Sequence, residues 1–430
     1  MQQRKDINEL TEAEVTDYIY ALTILRARSA ANPEDPSGYD YQAGLHNDPA
    51  LGPCEHGNDL FLPWHRAHLY YFERLLQQAD PPRTSQVTIP YWDWMHSDPN
   101  GKFPARFAQE GLFTAGRSEV PAALPPDTQA IVTQELNWND FGGWPRNDPR
   151  GDYGRLESGP HNYMHGTYVG GPMADPETAA EDAIYFSFHC FIDLLWAEWQ
   201  RRNDFPPATS PAATLRGFSA QPLRTVRDFF RCADLGYAYT YTDQLTRAFV
   251  PSQPQARFKD LEEHASLVSR FAGPLHEELA RKARADFELP VLPEDREVVT
   301  VVLKDLAIPQ TGSYTLQAYL HPAELPFNKD DPAFQRYYVG YVSLWLAHGG
   351  AHHGGHSHHH GHHSTPLHPT SARLRFDLTV GYHALRPEHA DLVLTILFVP
   401  APNSTGHPQT GEAVVHEVKL TDIVLETSRR

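Results

Sequence analysis

The sequence of 430 residues is poor in cysteine, in basic charge and in long apolar runs. Its three cysteines, Cys54, Cys190 and Cys232, are too few for a disulfide framework. Acidic side chains outnumber basic ones by 54 to 36, a formal charge of −18, which argues against nucleic acid or an anionic membrane as main partner. No apolar run approaches the roughly 18 residues of a membrane span, and the first residues lack the apolar stretch of a secretory signal. We therefore expect a soluble, cytoplasmic protein.

What the sequence has in excess is histidine, with 25 residues of this type. Ten of them fall between His348 and His368, in a tract of glycine and histidine. The hydrophobic fraction of 40% and the charged fraction of 21% are otherwise those of a globular protein with real cores. The histidine content therefore has two expected sources, a low-complexity tract and a set of ligands elsewhere in the chain.

The first part of the chain, residues 1–245, is predicted to be mainly helical with long loops. Apolar residues recur at helical spacing after His65 and again between Ile184 and Trp199. Many proline, glycine, aspartate and asparagine residues fill the stretch 97–160, which is typical of surface loops. A charged stretch from Arg257 to Phe287 predicts a helix inside a linker that spans 246–292.

The last part, residues 293–430, changes to β-branched and aromatic runs bounded by turn residues. Six such runs predict an all-β antiparallel sandwich; they are Val298–Leu303, Tyr314–Leu320, Tyr338–Leu346, Leu374–Val380, Leu392–Val399 and Val414–Leu425. The Gly/His tract 349–364 cannot form a core, and we expect it to be a mobile loop.

Two clusters of histidines in the first part indicate a metal site. His161 and His165 are four residues apart, so on a helix both imidazoles project from one face and can hold one metal ion. His65 and His189 each begin an apolar helical stripe, which predicts that they point into the interior. Nitrogen-rich sites without cysteinate or carboxylate ligands suit copper or zinc.

The same segments resemble the tyrosinase, catechol oxidase and molluscan haemocyanin family of type-3 copper proteins. The resemblance covers about residues 4–243 and rests on specific motifs. These are Cys54-x-His56-Gly57 followed by Trp64-His65-Arg66, His161-Asn162-x-x-His165, His189-x-x-x-Asp193, Pro90-Tyr91-Trp92-Asp93-Trp94, and Arg4 with Tyr237-x-Tyr239.

The resemblance implies a four-helix-bundle core that holds two copper ions and uses dioxygen as co-substrate. It makes His46, His56 and His65 ligands of copper A, and His161, His165 and His189 ligands of copper B. The implied reaction is oxidation of o-diphenols to o-quinones, with o-hydroxylation of monophenols, and the implied partners are small phenolic substrates. Oxidation of o-aminophenols and haemocyanin-like oxygen binding without turnover remain alternatives.

Further roles follow from the same resemblance. Cys54 is expected to form a thioether bond to a ring carbon of His56, the alternative being a free buried thiol. Glu157 and Asn162 are expected to hold a water that deprotonates phenols, the alternative being that Glu157 forms an ion pair or caps a helix. Pro176 is expected at the substrate entrance.

The β-rich part resembles, more weakly, the C-terminal domain of plant polyphenol oxidases and molluscan haemocyanin. That resemblance implies that it shields the copper cleft and places an apolar side chain over the entrance. The turn between two predicted strands offers Leu325 or Phe327 for this plug. Removing residues from about 290 onward should then raise diphenol turnover. The Gly/His tract could collect copper for the core or could be an inert linker.

Overall fold

The structure is a computed structural model that divides into two compact units. The first comprises Met1–Val250 and Trp345–His368, and the second comprises Pro251–Leu344 and Pro369–Arg430. The described residues are 1–46, 51, 54–96, 102–119, 122–134, 137–146, 153–203, 211–249, 266–270, 284–292, 298–307, 312–346, 371–400 and 422–428. The Gly/His tract 349–364 lies outside these residues.

The first unit is helical, with one small sheet. Its described helices are α1 (Glu12–Ala31), α2 (Tyr39–Gly44), α3 (Phe61–Gln77), α4 (Pro81–Thr84), α5 (Thr128–Gln134), α6 (Trp138–Gly142), α7 (Ile184–Arg202) and α8 (Asp243–Ala248). Two π-helical segments, Glu157–His161 and Met164–Val169, follow each other closely. Strand β1 (Gln2–Arg4) pairs in parallel with β2 (Tyr237–Tyr239).

Helices α3 and α7 form the centre of this unit. Fifteen of the nineteen residues of α7 are buried, because apolar side chains occupy nearly its whole surface. Its first turn is fixed by Asp182, whose carboxylate accepts a hydrogen bond from the Ile184 backbone and a bidentate pair from Arg117. Among the described residues, no helix combines the length and apolarity that crossing a bilayer would require.

A buried ionic network joins β1, β2, α3 and α7 through Asp193. One carboxylate oxygen accepts from Arg66, and the other accepts from the hydroxyl groups of Tyr237 and Tyr239 at 2.6 and 2.5 Å. Arg4, itself fully buried, lies 3.4 Å from the second oxygen. Burial alone would raise the pKa of Asp193, but the charges of the two arginines and the tyrosine hydrogen bonds hold it below its usual value.

Replacing Asp193 with asparagine should lower the free energy of unfolding by about 3–5 kcal/mol, because it removes the carboxylate that pairs with the buried Arg66. The buried Arg4 loses one of its two carboxylate partners and keeps the other, Glu73. Urea denaturation of the variant measures this loss. The matched control is Asp17→Asn, which removes a carboxylate from the exposed pair with Arg83 and should change the midpoint little. Equal effects of the two substitutions would contradict a structural role for the network.

The second unit contains two four-stranded sheets. The first has the order β3-β10-β5-β8 and the second the order β4-β9-β6-β7. The strands are β3 (Ser266–Arg270), β4 (Arg284–Leu289), β5 (Val298–Ala307), β6 (Gly312–Pro322), β7 (Tyr338–Leu346), β8 (Ser371–Asp377), β9 (Leu392–Pro400) and β10 (Asp422–Ser428), with a helix α9 at Thr379–Leu385. Pairings of β9 with β4 and β6, and of β5 with β8 and β10, are antiparallel.

A helical first part followed by a sheet-containing part is therefore confirmed, while the four-helix-bundle and sandwich arrangements stay predictions. The charged helix predicted within 257–287 is wrong for the described residues, since 266–270 and 284–287 lie in strands. In β4 the apolar Ala285, Phe287 and Leu289 are buried, and the acidic Asp286 and Glu288 between them are exposed. This period of two is a strand pattern, which the high charge of the stretch concealed.

Candidate metal centre

The six histidines predicted as ligands lie together in the first unit. Five of them are at most 2% exposed, and the side chain of His56 is 4% exposed. Ring centroids of His46, His56 and His65 lie 5.1 to 5.7 Å apart, and those of His161, His165 and His189 lie 4.6 to 5.2 Å apart. The rings of His65 and His189 stack at 4.5 Å and join the two sets.

Every one of the six rings is held by a hydrogen bond at Nδ1. Four bind backbone carbonyl oxygens at 2.8 to 3.1 Å: His46 to Pro176, His65 to Phe61, His165 to Met173 and His189 to Tyr185. A carbonyl oxygen can only accept, so in these four rings Nδ1 carries the hydrogen. In the neutral ring Nε2 is then left with a lone pair, as a metal ligand requires.

The Nε2 atoms converge on a buried space. Those of His161 and His189 lie 3.1 Å apart, and those of His65 and His165 are buried without a hydrogen-bond partner among the described residues. Burial lowers the pKa of all four of these rings well below the usual value, with the neighbouring histidines adding to the shift. Neutral, desolvated imidazoles facing one another are a donor set that suits copper or zinc.

Three groups of potential ligand atoms lie within 4.8 Å of one another. One is the predicted copper B set, His161, His165 and His189. The predicted copper A set is spread over the other two, His46 with His65 and His189, and His46 with Cys54 and His56. The structure thus brings all six residues together, and His189 belongs to groups on both sides.

Glu157 and Asn162 each contact one of these histidines. The fully buried Glu157 carboxyl lies 2.8 Å from His56 Nδ1 and accepts from the Gly57 backbone at 2.9 Å. Asn162 Oδ1 lies 2.8 Å from His161 Nδ1. Burial raises the pKa of Glu157 well above its usual value, opposed by the hydrogen bond from Gly57. Both residues therefore orient a ring and set its tautomer, which the sequence did not predict.

Cys54 and Pro176 also lie at the histidines. The thiol of Cys54 is within 4.8 Å of a ring nitrogen of His56, and the Cys54 backbone N–H donates to the His46 carbonyl at 2.9 Å. Pro176 is buried, and its carbonyl fixes His46. Its place at the entrance stays a prediction.

The aromatic side chain that covers the histidines is Trp345, which the sequence did not single out. Its ring stacks on His165 at 3.9 Å and lies 5.6 to 5.8 Å from His46, His56 and His161. Only 2% of it is exposed, and it belongs to the core cluster of the first unit. In sequence it reads as an ordinary residue of the strand Tyr338–Leu346, just ahead of the Gly/His tract.

The predicted plug residues Leu325 and Phe327 belong to the second unit. They pack against a small cluster of the second unit that contains Tyr319, Phe334 and Tyr337. The ring of Phe327 packs edge to face against those of Tyr319 and Phe334, with centroid distances of 5.2 and 5.1 Å. Phe327 therefore has aromatic contacts within its own cluster. A plug role for Leu325 or Phe327 stays a prediction.

The chain is similar to known proteins of one family. A family model described as the common central domain of tyrosinase matches residues 36–124 and 116–202. The tyrosinase of Streptomyces lincolnensis is 30% identical over 258 residues, which are 50% of this chain and 87% of that protein. A tyrosinase of Hahella sp. (strain CCB-MM4) is 26% identical over 302 residues, and the match spans 56% of this chain and 63% of that protein.

The fold is shared over a longer stretch than the sequence similarity. Latent apple tyrosinase superposes with a TM-score of 0.65 at 17% identity, over 100% of this chain and 97% of that one. The matched family model includes all six histidines. From the Streptomyces relative and this family model, the chain belongs to the tyrosinase family of copper oxidoreductases.

Proposed function

We propose that this protein is a polyphenol oxidase, which binds two copper ions and uses dioxygen to oxidise o-diphenols to o-quinones and to o-hydroxylate monophenols. The observation that carries the proposal is the set of six imidazoles pinned at Nδ1, with four Nε2 atoms directed into one buried space. Copper bound there would supply the redox chemistry with dioxygen. The chain supplies the rest: rigid ligands, exclusion of water, and groups that hold protons.

Rigidity of the ligands comes from backbone and helix positions. His65 and His189 bind carbonyl oxygens four residues earlier on α3 and α7, so helix geometry itself fixes both rings. The Asp193 network then holds these two helices together through Arg66, the neighbour of His65. Little reorganisation is left when a metal ion binds, which favours tight binding.

Glu157 and Asn162 are proposed to hold a water that takes the proton of an incoming phenol. Support comes from their placement, since Glu157 is a buried carboxyl group beside His56 and Asn162 adjoins His161. The two polar groups thus lie one against each histidine set. A base at this position would favour hydroxylation of monophenols in addition to oxidation of diphenols.

Replacing Glu157 with glutamine should weaken copper binding by about 10–100-fold, because it removes the carboxylate that orients His56. Competition with a calibrated copper chelator measures the affinity of the metal-free chain. Glu55→Gln is the matched control, since Glu55 is buried like Glu157 and adjoins His56 in sequence. Its carboxylate pairs with Arg146 and Arg216 instead of a histidine ring, so copper affinity should not change. An unchanged affinity in the Glu157 variant would contradict its orienting role.

We also propose that Cys54 forms a thioether bond to His56. The thiol lies within 4.8 Å of a His56 ring nitrogen, and the bond would fix the ring without using a ligand atom. Protein matured with copper and oxygen should be two hydrogens lighter than the metal-free chain and should leave Cys54 unalkylated. Full alkylation of Cys54 in matured, active protein would overturn the bond.

The test of the function is oxygen uptake by the copper-loaded chain with catechol, tyrosine and 2-aminophenol in parallel. Steady consumption with catechol supports the proposal, and consumption with tyrosine supports the hydroxylase activity. Preference for 2-aminophenol over catechol would assign an aminophenol oxidase. Reversible oxygen binding without consumption would overturn the enzymatic assignment.

A further inference from the structure

Tyr185 and His68, two side chains that the proposed function does not use, form a buried pair next to the metal ligands. The Tyr185 ring lies 4.0 Å from that of His189 and 5.0 Å from that of His46. Its hydroxyl lies 3.3 Å from His68 Nδ1. Both residues are 1% exposed.

The second ring nitrogen of His68, Nε2, decides which atom donates in the hydrogen bond between Tyr185 and His68. His68 Nε2 lies 2.9 Å from the carbonyl oxygen of Gln42, which can only accept, so Nε2 carries a hydrogen. Burial lowers the pKa of His68 to about 4, which favours the neutral ring at neutral pH. Nδ1 then has a free lone pair, and the Tyr185 hydroxyl donates to it. The phenol is thus hydrogen-bonded to a base in the tautomer that can receive its proton.

This arrangement changes what Tyr185 can do. The hydroxyl of Tyr185 is buried, so losing its proton to water would leave an unsolvated charge in the core. Loss of an electron makes a phenol strongly acidic, and a base already in contact can take the proton in the same step. The electron then leaves towards the histidines that Tyr185 touches, while the proton moves the other way.

We propose that Tyr185 and His68 are a redox-active pair that gives one electron to the oxidised metal centre when no phenol is bound. The O–H bond of Tyr185 breaks and an N–H bond forms at His68 Nδ1. The products are a neutral tyrosyl radical and a protonated His68, and the electron reduces the neighbouring centre. The oxidant is the centre charged by dioxygen, so this proposal rests on the proposed function. A phenol or another soluble reductant restores Tyr185 by returning a hydrogen atom, with His68 releasing its proton.

Tyr39 provides a matched comparison within the same core. It is 3% exposed, and its hydroxyl also has a partner at 3.3 Å, the backbone carbonyl of Glu181. A carbonyl oxygen cannot take up the proton at neutral pH, so Tyr39 lacks the base that Tyr185 has. The two tyrosines therefore separate the effect of burial from the effect of His68.

The experiment uses the full chain without metal and a photogenerated one-electron oxidant, a ruthenium(III) polypyridyl complex, followed by freeze-quench electron paramagnetic resonance. The expected result is a neutral tyrosyl radical that is lost in Tyr185→Phe and kept in Tyr39→Phe. His68→Gln, which can hold the hydrogen bond but not the proton, should slow radical formation by roughly 100-fold. A radical that survives Tyr185→Phe, or forms equally fast in His68→Gln, overturns the pair.

The copper-loaded chain in air without phenol should give the same signal, again lost in Tyr185→Phe. Should His68→Gln fail to fold, the comparison of the two phenylalanine variants still decides the question. Failure of the two proposals is distinguishable. Catechol oxidation without a Tyr185 radical overturns the pair alone. A radical in the metal-free chain without catechol oxidation overturns the oxidase, and with it the centre as the oxidant, but leaves Tyr185 and His68 a redox-active pair.

Discussion

Replacing Trp345 with alanine should raise the turnover of catechol by the copper-loaded protein by about tenfold. An aromatic pair is worth roughly 1.4 kcal/mol at its upper range, and about 1.4 kcal/mol corresponds to a tenfold change in population. On the proposed function, we expect a phenol that approaches His165 to displace the indole ring that stacks on it. The measurement is oxygen uptake at saturating and at low catechol.

The indole nitrogen of Trp345 should make this ring easier to displace. Trp345 Nε1 is buried without a hydrogen-bond partner among the described residues. A buried donor left unpaired costs about 1–3 kcal/mol, so the stacked position is less stable than its contacts alone imply. We expect Trp345→Phe to keep most of the cover, because the smaller ring can still stack and has no N–H to satisfy.

Phe327→Ala is the matched control for Trp345→Ala. It also removes an aromatic ring, but from the cluster with Tyr319 and Phe334. Its turnover should equal that of the unaltered protein. Activation by both variants would indicate that removing any buried aromatic ring makes the protein less rigid and more active. Activation by Phe327→Ala alone would contradict the assignment of Trp345 as the residue that covers the histidines.

Replacing His189 with glutamine should abolish catechol oxidation and lower the copper content below one ion per chain. His189 belongs to ligand groups on both sides of the centre, and it stacks directly on His65. Its loss therefore weakens both predicted copper sites, whereas loss of His165 weakens only one. Copper per chain after dialysis, measured by atomic absorption, checks the first effect and oxygen uptake checks the second.

His321→Gln controls for the removal of a buried histidine. His321 is 3% exposed and is held by the Pro322 carbonyl and the Thr395 hydroxyl, among residues of the second unit. This variant should keep its copper and its activity. Equal copper loss in both variants would mean that His189 matters for stability and not for metal binding.

Four of the six histidines could be predicted from local spacing, whereas His46 and His56 were implied only by the resemblance to the family. His161 and His165 share a helical turn, and His65 and His189 begin apolar stripes that must face inward. The contacts around them could not be predicted, because they join distant residues. Glu157 and His56 are 101 positions apart, and nothing in either segment indicates that a carboxylate meets that ring.

The second unit shows where sequence patterns mislead. Strands such as Leu392–Pro400 were predictable from continuous β-branched runs. Strand Arg284–Leu289 was not predicted. Its alternating acidic residues made the stretch highly charged, and that charge was interpreted as a helix. Trp345 was missed for a different reason: an aromatic residue in a strand is ordinary, and only its contact with four histidines gives it a role.

The most direct test of the proposed pair of copper sites is an anomalous-diffraction map of the copper-loaded protein, recorded at the copper absorption edge. We expect two neighbouring peaks of similar height within the first unit, one bonded to Nε2 atoms of His46, His56 and His65 and the other to those of His161, His165 and His189. A single peak there, or copper found only on histidines outside these six, would contradict it.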